Sequence, residues 1–155
     1  MAVYSVVKVL HILSATVLFG TGLGTAFFMF RSHAMPDIQS KYNFAKTTVL
    51  ADFIFTTPAV ILQPITGLIL IQMGGYEVFE SWLLIAYGLF VLAGLCWLPV
   101  VWIQIQMKKI LQACQETGDD LPERYHQLIR IWFVLGWPAF ISLMVIFYLM
   151  VAKPT

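Results

Sequence analysis

In the stretch VKVLHILSATVLFGTGLG, residues 7–24, a lysine and a histidine stand one helical turn apart at the head of an otherwise apolar run. At about 100° per residue, Lys8, His11, Ala15, Leu18, Gly22 and Met29 share one stripe of a helix. His11 lies about eight residues, roughly 12 Å, into that helix. An ionisable side chain at such a depth is a functional candidate by default. A neutral imidazole beneath an ammonium, with Ala15 and Gly22 leaving room, suits a flat anionic cofactor. The imidazole then ligates iron and the ammonium pairs with a propionate, which is the chemistry of haem b with His11 as metal ligand and Lys8 as its companion. The same residues also fit a structural arrangement in which His11 hydrogen-bonds to Gln63 or Tyr87 of a neighbouring helix, and contact with copper or quinone is a third use.

Gln63, Tyr87 and Met144 lie nearest the level of His11 along the helices that follow. Met144 as second ligand would give His/Met ligation and a raised reduction potential, whereas a methionine there also serves as plain packing. Five-coordinate iron, or pairing with His11 of a second subunit in a homodimer, are the other options. His33 and His126 share the opposite side, too far along their helices to reach the same iron. Asp52 reads as an anion opening the second membrane helix, with a proton-relay entrance as the alternative. In FTTPAVILQPITG, residues 55–67, Pro58 and Pro64 each free a backbone carbonyl, and Thr56, Thr57, Gln63 and Thr66 are placed to satisfy it. Gly20 and Gly24 form a G-x-x-x-G that predicts close helix packing. Cys96 and Cys114 form no C-x-x-C pair, so neither a disulfide nor zinc is expected. Copper, which favours soft ligands, finds no Met/His/Cys cluster and is the weaker metal.

The elements that must position these groups are membrane helices. Of 155 residues, 60% are hydrophobic and 11% charged, far below the roughly 25% charge of a soluble domain. Four apolar segments, about 5–30, 53–75, 81–107 and 128–152, each approach or exceed the ~20 residues that cross a hydrocarbon core. The expected fold is all-α: one domain, 1–155, an up-down bundle of four transmembrane helices. The first segment lacks the basic start and cleavage site of a signal peptide. Trp82, Trp97, Trp102, Trp132, Tyr4, Tyr76 and Tyr148 fall near segment ends, as interfacial aromatics do. Asp37 is placed to cap an amphipathic segment after Pro36, Ile38 to Asp52, that leads into the second membrane helix, and Pro122 to start the last helix. Arg31, Lys41, Lys46, Lys108, Lys109, Arg124 and Arg130 flank two connections, against Lys8 and Lys153 on the other side. That bias places the basic end in the cytoplasm and both termini outside a bacterial inner membrane. The net charge of +1 gives no reason to expect nucleic acid.

The segments VKVLHILSATVLFGTGLGTAFF, ADFIFTTPAVILQPITGLIL and SWLLIAYGLFVLAGLCWLPVVWIQIQMKK together resemble a bacterial family of small predicted integral membrane proteins classed as a domain of unknown function. The resemblance covers nearly the whole chain. That family is similar to the CopD copper-resistance group and, more distantly, to the HemJ-type protoporphyrinogen oxidases, which share a Lys-x-x-His-like opening to an early helix. The resemblance implies b-type haem at His11, with Lys8 beside it and electrons passing to the respiratory chain. HemJ-type proteins follow the first-helix glycine with a Pro-Arg pair; here the region reads GTGLGTAFFMFRSHA, with no proline and Arg31 at the helix end.

The reading is therefore a haem b-binding inner-membrane redox protein, an oxidase or electron carrier linked to quinone or a redox partner. Its rivals are a non-enzymatic accessory or assembly subunit with a structural His11, and a small transporter component using Lys8, His11, Gln63 and Asp52.

Overall fold

Apolar runs with no water around them must satisfy their own backbone groups, and this chain does so with helices. The computed structural model describes residues 2–154: α1 is Ala2–His33, α2 Ile38–Ala51, α3 Thr57–Gly74, α4 Ser81–Thr117 and α5 Glu123–Ala152. A π-turn, Asp52–Thr56, joins α2 to α3 into one continuous rod, Ile38–Gly74. The protein thus has four rods, each long and apolar enough to cross a bilayer, and no strand among the described residues.

Each rod runs past its apolar segment, because lysine, arginine and glutamine are good helix formers and nothing halts the ladder where charge begins. What halts it is local. Gly75 (φ 71°) and Gly118 (φ 76°) take the left-handed conformation that ends α3 and α4, a turn costly for any residue with a Cβ. Pro122 precedes the first residue of α5.

Asp37 starts α2 by accepting the Ser40 N–H at 2.7 Å. That N–H holds the Asp37 carboxyl below its ordinary value of 3.8. A depressed carboxyl contributes stability above its unfolded-state pKa and loses it as pH falls through the folded value. Asp37→Ala is therefore expected to lower the melting temperature slightly at neutral pH and to be indistinguishable from wild type once pH is well below 3.8, as thermal unfolding at the two pH values would show.

Asp52 does not open a membrane helix, contrary to the expectation from sequence; it sits inside a continuous rod. Pro58 has no N–H for the Ile54 carbonyl, and its ring crowds that carbonyl. Widening the preceding turn relieves the crowding, and the Thr57 N–H closes the π-type bond to the Asp52 carbonyl. The Thr57 hydroxyl donates to the same oxygen at 2.9 Å.

Between rods the packing is uneven. α4 lies along α5, and α1 along α3; α2 crosses between α1 and α4 at the basic end. There Met29, Ala45, Met107, Leu111, Tyr125 and Ile129 form the larger core. A smaller core at the terminal end gathers Ile71, Trp82, Leu83, Ala86 and Leu149. Lipid is as apolar as leucine, so these cores hold by close packing and polar locks rather than by exclusion from water. The outward faces are correspondingly apolar, with Phe27, Leu95, Val134 and Val151 all exposed.

Two further expectations are corrected. A Cβ on Gly20 or Gly24 would meet nothing within 4 Å, so the G-x-x-x-G is no close helix contact within this chain. Trp97 and Trp132 line an interior cavity rather than the membrane surface.

Candidate functional site

The close approach on α1 occurs at His11 instead. A Cβ on Gly67 would stand 3.4 Å from His11 Cε1, so the ring lies against the backbone of α3. Thr66, the residue before, donates its hydroxyl proton to the Leu62 carbonyl at 2.6 Å. Its oxygen is then left to accept from His11 Nδ1 at 2.8 Å. This pattern assigns the neutral Nδ1–H tautomer and leaves a lone pair on Nε2. Among the described residues no hydrogen bond is formed to Nε2. Gln63 locks the same region from α3, donating to the His11 carbonyl at 2.8 Å and to Ser14 Oγ at 2.5 Å.

Lys8 is exposed one turn above His11, its Nζ 6.0 Å from the centroid of the Tyr4 ring. Gln63 meets the backbone of His11, not its ring. Tyr87 does not bond His11; its hydroxyl is buried without a partner. Met144 is 49% exposed on the outside of α5, and its neighbour Leu143 takes the inward position, so Met144 is not placed as a second ligand in the same chain. His33 and His126 are neighbours, ring centroids 6.3 Å apart. Cys96 and Cys114 are both free thiols. No three His, Cys, Asp or Glu converge among the described residues.

Gly22 borders the main internal feature. The pair α1/α3 and the pair α4/α5 meet through the core at the terminal end and where α1 touches α5. The seam between them opens into a cavity of about 400 Å³ whose walls come from all four rods. Leu18 and Gly22, on the α1 stripe that carries His11, form part of one wall. Toward the basic end the cavity reaches Asp52, Thr56 and Gln104, which are 3%, 3% and 2% exposed. Thr56 donates to Asp52 Oδ1 at 2.8 Å, and the Gln104 side chain lies beside the same carboxyl. Gln104 Oε1 and the indole nitrogens of Trp97 and Trp132 are buried with no partner. A more open hollow of about 560 Å³ lies between α1 and α2, bordered by Gly24, Asn43 and Thr47.

Sequence reasoning missed three contributors. Thr66 was seen only as a backbone partner, and Gly67 and Gln104 were passed over. A hydroxyl followed by glycine at the level of a buried histidine was a usable signal, and so was an unexplained glutamine inside an apolar segment.

A family model described as "Predicted integral membrane protein (DUF2269)" matches residues 5–154. Comparison with curated proteins and with solved structures finds no match.

Proposed function

Because the chain belongs to this family of predicted integral membrane proteins, its working environment is the bilayer, and we propose that it is a haem b-binding redox protein with His11 as axial ligand. The observation that carries the reading is the state of the imidazole. Nδ1–H is given to Thr66, whose own proton is committed to Leu62, so Nε2 keeps its lone pair. Iron-ligating histidines are held in this way: the second nitrogen's hydrogen bond fixes the tautomer and the ring plane. A porphyrin supplies four nitrogens itself, so one well-oriented imidazole suffices to anchor it.

In this reading the cofactor supplies one-electron chemistry, and the chain supplies position and dielectric. Thr66 holds the ring, Gly67 lets it lie close to α3, and Gln63 ties α1 to α3 around it. Lys8, one turn nearer the terminal end, is placed to meet an anionic edge. Electrons would pass to quinone or a partner oxidoreductase. We place the protein in a bacterial inner membrane with its basic end in the cytoplasm and both termini outside.

The test is an absorption spectrum of protein purified in mild detergent from haem-replete cells. Wild type is expected to show a Soret band that shifts on dithionite reduction. His11→Ala should lose it, and Thr66→Val should keep it with an altered reduction potential. The Gln63–Ser14–Thr66 network favours a second reading, in which His11 only locks α1 to α3 within an accessory subunit. Colourless wild type, with His11→Ala merely less stable, would establish that reading instead.

A further inference from the structure

The basic end of the cavity is built of polar groups that His11 does not use. Asp52 faces two neutral neighbours, the Thr56 hydroxyl and the Gln104 side chain. Gln104 precedes Lys108 by one turn, so these groups lie just inside the hydrocarbon border. Trp97 stands seven residues before Gln104 on the same stripe of α4, about 10 Å toward the terminal end. Three polar atoms of this set, Gln104 Oε1 and the Trp97 and Trp132 Nε1, lack partners in the protein. Each orphaned group has given up its hydrogen bonds to water, and in lipid no bulk water restores them.

We propose that the cavity binds a lipid-soluble hydroquinone. The unmet groups comprise donors and an acceptor at separate positions, and they ask for a ligand that carries both. A hydroxyl at one end of an aromatic ring donates to Gln104 Oε1 beside Asp52. An oxygen at the other end accepts from an indole N–H. The ring itself lies among Phe90, Phe133 and Phe140. A lipophilic cation would satisfy Asp52 and Gln104 but would leave both indole donors unmet, and it would add a desolvated ion pair. A purely apolar occupant would leave all three orphaned. The choice of a redox-active ring rests on the function proposed above; the binding site does not, because Thr66, Gln63 and Gly67, which hold His11, are not among its walls.

The test uses full-length protein in detergent, under anaerobic conditions, with decylubiquinol as probe and thermal unfolding as readout. A saturable rise in melting temperature is expected for wild type and equally for haem-free His11→Ala protein, or for haem-depleted wild type should that variant not fold. Gln104→Leu should weaken the dissociation constant about tenfold, the equivalent of one hydrogen bond of about 1.4 kcal/mol. Trp132→Phe, which keeps a ring and removes the N–H, should also weaken it. Tetraphenylphosphonium should produce no saturable shift. The proposal is overturned by an unsaturable response in wild type, by unchanged affinity in both variants, or by preference for the cation. Binding lost in haem-depleted protein but present in pigmented protein would overturn the independent site while leaving the haem reading intact.

Discussion

Gly67→Leu is expected to drive the His11 ring off α3. The space over Gly67 holds the imidazole with Cε1 3.4 Å from where a Cβ would sit, so alanine just touches it and leucine cannot share the space. Overpacking of this kind costs about 1–3 kcal/mol. The displaced ring also gives up its bond to Thr66, itself about 1 kcal/mol. The variant should unfold at a clearly lower temperature in detergent, and any pigment held by His11 should be lost with it. A double-mutant cycle makes the argument specific. Once His11 is alanine, the ring that leucine displaces is gone, so Gly67→Leu should cost much less in the His11→Ala background. Additive effects would mean that Gly67 acts through some other contact.

Lys41→Met should destabilise the basic end by about 3 kcal/mol. Lys41 is only 7% exposed, and its ammonium donates to the Ser32 carbonyl at 3.1 Å and the His33 carbonyl at 2.7 Å. Those are terminal carbonyls of α1, which have no partner within the helix, and the negative end of the helix dipole lies there. Methionine keeps most of the stem volume and removes both charge-assisted bonds. Lys41→Arg should recover part of the loss. Measured by thermal unfolding, a methionine variant as stable as wild type would show that the carbonyls find other donors. The result also bears on topology. Lys41 counts among the cationic residues of the basic end, yet its charge is turned inward to cap a helix and is largely withdrawn from solvent.

The four-rod architecture was legible because it depends on composition over long windows. Twenty apolar residues in oil have few backbone solutions, and neighbouring contacts are not needed to choose among them. Helix ends were legible where a local motif acts, as with Asp37 and the Ser40 N–H. The second rod was legible in part: its segment from Ile38 leads into the membrane helix, but Asp52 looks like a start signal there, and the π-turn imposed by Pro58 carries the ladder through it.

The candidate sites divide along the same line. That His11 and Asp52 are unusual follows from one dimension alone, since an ionisable group in an apolar run needs a reason wherever the chain goes. Which atoms meet them is a matter of rotation and crossing of rods, which small residues and packing set and which no spacing rule encodes. Thus Thr66, not Tyr87, receives the imidazole proton, and Met144 faces outward. Trp97 and Trp132 read as interfacial aromatics until four rods turn them toward one cavity. By itself the sequence determined a four-helix membrane protein with ionisable side chains in oil; the tertiary structure decided their partners, because a hydrogen bond forms only between groups that packing has brought within about 3 Å.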